Sequence, residues 1–351
     1  MSFLFVGSTG DNAGQSLFTW ALAKRFTQKG ASVGFLKPFG SNRVKIDGRW
    51  VDRDAILFKD FLNLDVPLDT LCPHPFVEDD IKEPQKILER IEAVAHELSV
   101  EKDIILVMGC SHIFFDKNMN NVNDISIVNR LNADFILVNR YYSVSSSLYS
   151  IFSVCSMLER TSGILINRVP EADMREVEEK MAPLLKAKGL PVTAVVPEKA
   201  ALSLLSVEEI RRRLAGEILS GKGKLEGPVT GMTVGSSDLS DELRIFKRVY
   251  NKIILLGPHD KALGVGNSHV TRPIAGIVIT GGIKPAQKIS DLAEKNAIPL
   301  ILAKNDTFSA LNLLDKTSSS LSAKDESKLD HFIELLDKTE AFENLLHLPI
   351  V

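Results

Sequence analysis

Residues 7–16 read "GSTGDNAGQS" and join a short apolar run to a helical pattern. The run "SFLFVG" (2–7) predicts a buried strand, and "QSLFTWALAKRFTQKG" (15–30) predicts a helix that stops at Gly30. A strand, a glycine-rich turn and a helix in this order are typical of a phosphate-binding loop, in which main-chain amides at the helix N-terminus point at phosphate oxygens. The alternative is a plain glycine-rich turn.

The loop keeps its glycines and lacks its lysine. Ser16 stands where a hydroxyl would bind Mg²⁺, but Gln15 occupies the preceding position, where the usual motif has lysine. The glutamine amide can donate hydrogen bonds worth ~1 kcal/mol net, against ~1.5–3 kcal/mol for a charged donor. We therefore expect weakened nucleotide binding and a larger loss of transition-state stabilisation. The residues expected to contact the nucleotide are Thr9, Gly10, Asp11, Asn12, Ala13, Gly14, Gln15, Ser16 and Leu17.

Further apolar runs alternate with helical patterns through the first 200 residues. Strands are predicted at 32–38, 103–109, 134–139, 163–169 and 191–197, and helices at 54–64 and 84–98. Continuous Ile, Leu and Val runs separated by helices predict a parallel sheet covered on both faces. The fold class is therefore α/β, with a doubly wound parallel-sheet domain over residues 1–200.

A second, smaller α/β domain is predicted over residues 206–315. It begins with a capping box, "SVEE", in which Ser206 and Glu209 bond each other's main chain. Its predicted strands lie at 252–258, 274–282 and 299–306, with a helix at 286–298. Residues 322–351 form a C-terminal helical tail, in which Leu329, Phe332, Ile333 and Leu336 follow helical spacing.

The composition excludes several classes of protein. The net charge of −3 over 351 residues gives no reason to expect nucleic acid as a partner. Three cysteines without a signal-like start indicate a reducing compartment. No apolar stretch approaches the ~20 residues of a membrane span. We expect a cytoplasmic protein without a nucleic-acid or membrane partner.

Several stretches together resemble a known pair of domains. "GSTGDNAGQS", "GFLKPFG" (34–40) and "DRDAILFKDFLNLDVPLDTLCP" (52–73) resemble the dethiobiotin-synthetase-like P-loop domain. Residues 275–311, which contain Thr280, Gly281 and Gly282, resemble the end of a DRTGG domain. This combination is similar to the N-terminal part of some phosphotransacetylases and to stand-alone DRTGG-domain proteins.

The resemblance implies roles for four residues. Lys37 is the implied catalytic residue, which contacts a substrate carboxylate and the transferred phosphoryl group; the alternative is a solvated lysine at a strand end. Ser16 and Asp54 are the implied metal ligands, although a carboxylate at a helix start is equally a cap. Asn167 is the implied reader of adenine, and its alternative is a turn residue closing the strand.

Two departures from the family weigh against catalysis of phosphoryl transfer. The loop lysine is Gln15, and the acidic residue that the family usually has before glycine at the third strand end is Met108, which cannot bind a hard cation. We expect a nucleotide-binding regulatory or sensory protein with ATP or another adenine nucleotide, with or without Mg²⁺, and weak or no catalysis. The alternatives are an ATP-dependent ligase acting on a carboxylate and a pure interaction module without nucleotide. The DRTGG-like domain is the expected site of homo-oligomerisation.

A repeated Cys-x-His spacing allows a further interpretation. Cys72 with His74, and Cys110 with His112, could chelate because alternate residues of an extended segment point the same way. Two such pairs would give a Cys2His2 metal site. Buried apolar cysteines are the alternative.

Overall fold

The computed structural model describes residues 2–74, 83–110, 113, 122–199, 202, 204–225, 227–234, 252–256, 274–285, 287–315 and 321–345. The contacts divide the chain into two compact units. The first unit comprises Met1–Lys199 together with Leu321–Val351, and the second comprises Ala200–Ser320. The C-terminal segment therefore belongs to the first unit. Among the described residues, no helix is long and apolar enough to cross a membrane.

The first unit is built on a six-stranded parallel sheet. Its strands and those of a small hairpin are β1 (Ser2–Ser8), β2 (Val33–Leu36), β3 (Arg43–Ile46), β4 (Arg49–Asp52), β5 (Ile104–Met108), β6 (Asp134–Arg140), β7 (Gly163–Val169) and β8 (Val192–Pro197). The sheet order is β2-β5-β1-β6-β7-β8, with every pair parallel. All five residues of β5 are buried, as expected when both faces of a sheet are covered. The predicted doubly wound fold is confirmed.

Helices cover this sheet. They are α1 (Gln15–Gln28), α2 (Arg53–Phe61), α3 (Leu68–Leu71), α4 (Pro84–Leu98), α5 (Asp124–Leu131), α6 (Val144–Cys155), α7 (Met174–Glu176) and α8 (Ala182–Ala187), with a π-helical turn over Val177–Met181. Helix α1 follows the glycine-rich loop directly, as predicted. It ends just before Gly30, whose φ of 88° suits a residue without a side chain.

The hairpin β3–β4 is absent from the sequence-based prediction. Its strands pair antiparallel around Asp47 and Gly48, which both have positive φ. Two positive φ values and an Asp-Gly dipeptide are typical of the tight turns that join antiparallel strands. The hairpin leads into α2, and the Asp52 side chain caps this helix by accepting from the Asp54 amide.

The second unit contains its own sheet. Its strands are β9 (Leu205–Ser206), β10 (Glu217–Ser220), β11 (Pro228–Val229), β12 (Gly231–Val234), β13 (Lys252–Leu256), β14 (Gly276–Ile279) and β15 (Leu300–Leu302), and its helices are α9 (Val207–Arg213), α10 (Gln287–Lys295) and α11 (Thr307–Asp315). The main sheet has the order β10-β15-β14-β13-β12, in which only β10 runs antiparallel. Val278 and Ile277 belong to two different apolar clusters, because alternate side chains of a strand point to opposite faces. The capping box of Ser206 and Glu209 is present as predicted.

The C-terminal segment folds as two helices of the first unit, α12 (Glu326–Leu336) and α13 (Glu340–Leu345). Leu329, Phe332, Ile333 and Leu336 are all buried, which confirms the predicted apolar face. Helix α12 packs against α1 and β8. Ion pairs join α1 to this segment: Lys24 with Glu326 and Asp330, Arg25 with Asp337, and Lys29 with Glu343.

The packing of α12 predicts unequal effects for two neighbouring substitutions. Leu329→Ala removes a fully buried side chain and should lower the free energy of unfolding of the first unit by about 2–5 kcal/mol. Asp330→Asn removes one exposed ion pair and should cost less than about 1 kcal/mol. Urea unfolding followed by tryptophan fluorescence reports on this unit alone, because Trp20 and Trp50 both lie in it. Equal losses for the two variants would show that α12 is held by charge.

Candidate functional site

The carboxyl ends of the parallel strands meet along one edge of the first sheet. The glycine-rich loop follows β1, Lys37 follows β2, and Gly109 follows β5. Arg140 ends β6, and Asn167 lies near the end of β7. Because β1 lies between β5 and β6, the loop leaves the sheet where the strand order reverses. Ligands of open α/β sheets bind at such positions.

The loop presents the uncapped N-terminus of α1. Gly14 has a φ of 92°, and a Cβ atom there would lie 2.3 Å from Asn167 Nδ2, so only glycine fits. Among the described residues, no side chain caps this helix, and its first turn contains no acidic residue. The first amides of a helix lack intrahelical acceptors and carry partial positive charge. This end of α1 therefore fits a phosphate group, and the predicted contacts of residues 9–17 with a nucleotide remain predictions.

Gln15 has a different partner from the one expected. Its side chain is 8% exposed and points away from the helix end, where Nε2 donates to the carbonyl oxygen of Val6 at 2.6 Å. Thr19 Oγ1 donates to the Gln15 carbonyl at 2.9 Å and holds the first turn. The amide side chain thus ties α1 to β1. A contact of Gln15 with a nucleotide would use the main-chain amide.

The start of the loop is fixed to β6. The Thr9 amide donates to the Val138 carbonyl at 3.1 Å. Thr9 Oγ1 accepts from Asn139 Nδ2 at 3.0 Å and from the Arg140 amide at 3.1 Å. Thr9 is therefore a buried anchor for the loop. The side chains of Ala13 and Leu17 are buried too, so their predicted ligand contacts would use main-chain atoms.

Two arginines that the sequence analysis missed contact the loop. Arg140 Nη1 donates to the Asp11 carbonyl at 2.5 Å, and Arg168 Nη1 donates to the Asn12 carbonyl at 3.0 Å. Both arginines lie at the ends of predicted strands, Arg140 on β6 beside β1 and Arg168 on β7 beside β6, and this position was the available signal. Together they place two cationic groups beside the loop that lacks its lysine.

Asn167 joins β7 to the same loop. Its Nδ2 donates to the Ala13 carbonyl at 2.6 Å, and its Oδ1 accepts from the Arg168 amide at 2.9 Å. Both ends of the amide are therefore occupied by the protein main chain. The predicted reading of adenine by Asn167 remains a prediction, and it would require at least one of these bonds to open.

Lys37 is buried between two carboxylates. Its side chain is 1% exposed, and Nζ lies 3.0 Å from Asp52 Oδ1 and 2.5 Å from Asp54 Oδ2. Burial opposes the charged form, but the carboxylates of Asp54 and Asp52 prevail and raise the pKa of Lys37 above its ordinary value. The alternative of a solvated lysine is excluded. The ammonium stays charged, with its hydrogen bonds directed at protein carboxylates.

Asp54 lies in the first turn of α2, and the helix cap is its neighbour Asp52, which accepts from the Asp54 amide at 2.9 Å. Burial raises the pKa of Asp54, the Lys37 ammonium opposes that shift, and a hydrogen bond with Ser16 opposes it further. The carboxylate of Asp54 and the hydroxyl of Ser16, the two predicted metal ligands, are thus neighbours. Oxygen ligands of this kind suit Mg²⁺. Among the described residues, no three His, Cys, Asp or Glu side chains are grouped to hold a metal.

Asp124 supplies an acidic group at the end of β5, where Met108 provides none. Both carboxylate oxygens lie 3.1 Å from the Cys110 amide, and a Cβ on Gly109 would lie 2.2 Å from Oδ2. Burial raises the pKa of Asp124 to about 7 against the opposing hydrogen bonds from Cys110. The sequence analysis missed this residue because it is carried by α5, far from the strand end in sequence.

The Cys-x-His interpretation gains no support from the described residues. Cys72 is buried, and burial raises the pKa of its thiol well above the ordinary value. The ring of His74 packs against Phe39 with centroids 5.4 Å apart. Burial likewise raises the pKa of Cys110, and His112 lies outside the described residues.

Known families match a large part of each unit. The AAA domain family matches residues 3–204, which is more than half of the chain, and the DRTGG domain family matches residues 209–317. The chain belongs to the AAA domain family. Its P-loop domain of the dethiobiotin-synthetase type is followed by a DRTGG domain, which confirms the resemblance drawn from the sequence.

Individual relatives of this AAA-domain chain include two kinds of enzyme. The ATP-dependent dethiobiotin synthetase BioD of Thermodesulfovibrio yellowstonii is 23% identical over 55% of the chain and 87% of the relative. The phosphate acetyltransferase of Nitratidesulfovibrio vulgaris is 21% identical over 50% of the chain. The chain spans only 26% of the length of that acetyltransferase.

A solved structure is distantly similar to part of this chain. It contains the CBS and DRTGG domains of the regulatory region of Clostridium perfringens pyrophosphatase, in complex with the activator diadenosine tetraphosphate. The match has 22% identity and a TM-score of 0.27 and covers 38% of this chain and 60% of that one.

The buried ion pairs of Lys37 predict a pH-dependent loss of stability in Lys37→Met. Removing the ammonium leaves buried carboxylates without a cation, which should lower the free energy of unfolding by about 3–5 kcal/mol at pH 8. Without Lys37, burial would raise the pKa of Asp54 further above that of the unfolded chain, so the loss should shrink as the pH falls to 5. In the wild type, the raised pKa of Lys37 keeps its contribution constant over this range, because it is lost only above the unfolded pKa of ~10.4.

Lys24→Met is the matched control for this measurement. Lys24 also pairs with two carboxylates, those of Glu326 and Asp330, but both partners are exposed to solvent. Its replacement should cost less than about 1 kcal/mol at either pH. Urea unfolding at pH 5 and pH 8 provides the measurement, and a Lys37→Met loss as small as that of Lys24→Met contradicts the buried charge pair.

The buried carboxyl of Asp124 predicts that the stability of the wild type depends on pH. A folded pKa of about 7 against ~3.9 in the unfolded chain means that the folded state holds the proton longer, so wild-type stability falls as the pH rises from 4 to 7. Asp124→Asn keeps an oxygen for the Cys110 amide and removes this titration. The difference in unfolding free energy between variant and wild type should therefore shift in favour of the variant by on the order of 3 kcal/mol between pH 4 and pH 8. Parallel pH profiles for the two proteins would contradict it.

Proposed function

We propose that this chain is a cytoplasmic regulatory or sensory protein that binds ATP or another adenine nucleotide on the loop between β1 and α1, with little or no catalytic activity. The observation that carries the proposal concerns the two positions where the family has a functional lysine. Gln15 supplies no charge at the loop, and the charge of the Lys37 ammonium is balanced by the carboxylates of Asp52 and Asp54. The loop can hold a phosphate while the groups needed for its transfer are missing or engaged.

Binding is supported by the main chain. Within the part of the chain that the structure describes, the start of α1 has no side-chain cap and no acidic residue in its first turn. Gly14 gives close access, and hydrogen bonds from β6 and β7 fix the shape of the loop. A loop that is already ordered loses little conformational entropy when a ligand binds. A P-loop domain of the synthetase type and a DRTGG domain in one chain fit a nucleotide-responsive protein.

Weak catalysis follows from the charges. Phosphoryl transfer depends on cations placed where negative charge develops. The Lys37 ammonium has two anionic partners within 3.0 Å and is withdrawn from solvent. Moving it to a substrate would leave Asp52 and Asp54 buried without their counter-ion, which is unfavourable by several kcal/mol.

The contact of Ser16 with Asp54 favours a second candidate, an ATP-dependent ligase acting on a carboxylate. In that case Asp54 would exchange Lys37 for Mg²⁺, which supplies charge neutralisation at the phosphates when bound, and Lys37 would be released to the substrate. Asp124 would add a carboxylate to the same edge of the sheet. Homo-oligomerisation through the DRTGG domain remains a prediction under either candidate.

The nucleotide proposal predicts a specific gain of function. Gln15→Lys restores the charged donor, and the gain of a charged over a neutral hydrogen bond, about 1 kcal/mol or more, should tighten ADP and ATP binding roughly tenfold. Gln15→Ala is the control, because it removes the same hydrogen bond to Val6 without adding charge. Isothermal titration of ADP and ATP, with and without Mg²⁺, measures both.

Wild-type protein in a thermal-shift panel of ATP, ADP, GTP, AMP and a diadenosine polyphosphate provides the first test. A nucleotide at ~100 times its dissociation constant adds about 2.7 kcal/mol of folded-state stability. Stabilisation by an adenine nucleotide without Mg²⁺ supports the sensor. Robust ATP turnover that Lys37→Ala abolishes favours the ligase, and unchanged melting with every nucleotide favours a pure interaction module.

A further inference from the structure

The glycine-rich loop has lost its lysine, but two cationic side chains reach it from the neighbouring strands. Arg140 ends β6, which pairs directly with β1, and Arg168 lies in β7, the next strand. Their Nη1 atoms donate to the carbonyls of Asp11 and Asn12 at 2.5 and 3.0 Å. Consecutive loop carbonyls therefore bind two separate guanidinium groups.

The backbone at Arg168 departs from regular strand geometry. Its φ of 62° lies in the left-handed region, which is unfavourable for a residue with a side chain. The register between β7 and β8 shifts between Asn167 and Val169, so Arg168 is the extra residue of a β-bulge. Bulges of this kind turn a side chain away from its regular direction, and here the side chain reaches the loop. The surrounding structure thus maintains a strained residue whose guanidinium contacts Asn12.

The other contacts of the two arginines hold their side chains in place. The Arg140 guanidinium lies over the Tyr142 ring at 4.9 Å, which orders it without neutralising its charge. Arg168 Nη2 lies 3.3 Å from Glu198, a half-exposed partner that screens part of its charge. A planar guanidinium with five donors can hold a carbonyl with one nitrogen and present others elsewhere.

We propose that Arg140 and Arg168 together replace the missing loop lysine. Each guanidinium holds one loop carbonyl, which keeps the amides of the loop directed at the phosphates, and the pair supplies the positive charge that Gln15 lacks. In the first role the two arginines are positioning residues, which act through the loop; in the second, their charge itself favours the bound phosphates. This inference rests on the proposed nucleotide binding, and it names the phosphates of the nucleotide as the group recognised.

The anchoring role predicts faster exchange of the loop amides. Hydrogen exchange of the nucleotide-free full-length protein should show residues 10–14 exchanging roughly ten times faster in Arg140→Ala and Arg168→Ala than in the wild type. Arg175→Ala is the matched control, since Arg175 pairs with Glu179 on an exposed helical surface. Unchanged loop exchange in both arginine variants would overturn the anchoring role without any reference to nucleotide.

The charge role predicts a loss of nucleotide affinity that a lysine in the loop restores. Each single variant should weaken ADP binding roughly tenfold or more, as expected for a lost charged group, while Arg175→Ala binds as the wild type. Adding Gln15→Lys to either variant should recover most of the loss, which a purely structural defect would not allow. Arg168→Gly separates folding from binding, because glycine relieves the positive φ and removes the guanidinium at once.

The outcomes distinguish this inference from the proposed function. Wild-type binding with undiminished affinity in the Arg140→Ala/Arg168→Ala double variant overturns the inference and leaves nucleotide binding intact. Weakened binding that Gln15→Lys does not restore overturns the charge role. If the wild type binds no nucleotide in the calorimeter, the proposed function and the charge role fail together, while the exchange measurement still decides the anchoring.

Discussion

The ammonium of Lys37 lies between the carboxylates of Asp52 and Asp54, and this buried contact joins the end of β2 to the start of α2. A buried ion without its partner is unfavourable by several kcal/mol, so the three groups must remain together in the folded chain. Asp52 also accepts from the main-chain amides of Ser41, Asn42 and Asp54. One carboxylate therefore joins the entry of the β3–β4 hairpin, the start of α2 and, through Lys37, the end of β2.

Gln15 shows how a binding motif is converted into a structural one. A lysine at this position would place its charge at the loop, where its partner is the phosphate of a ligand. The glutamine amide donates to the Val6 carbonyl, which also accepts from the Gly109 amide at 3.0 Å, and it joins α1 to β1 without a ligand. The glycine-dependent backbone is unchanged by this exchange, because Gly14 is required by the proximity of Asn167 and not by the side chain at position 15.

The parts that could be predicted from the sequence are those encoded locally. Apolar periodicity gave the parallel strands and helix α4, and local hydrogen-bonding residues gave the capping box at Ser206. The direction of a side chain is set by tertiary neighbours, so no pattern indicated that Gln15 would turn toward Val6 or that Lys37 would be buried. Asp124 illustrates the limit: sequence reasoning looked for an acid beside Gly109, and the fold supplies it from the next helix.

Helix α1 is constrained at both ends, by the glycine-rich loop at its start and by the C-terminal segment at its end. The apolar spacing of α12 predicted its buried face but not its partner, because the complementary charges lie some 300 residues apart and are apparent only when the helices meet. The long sequence separation opposes this contact only weakly, since the entropic cost of closing a loop rises by only about 0.6 kcal/mol for each doubling of its length. Burial of Leu329 and Phe332 outweighs such an increment. The helix that begins at the glycine-rich loop is thus fixed by β6 and β7 through the loop and by α12 and α13 at its other end, which leaves the amides at its N-terminus in a defined position.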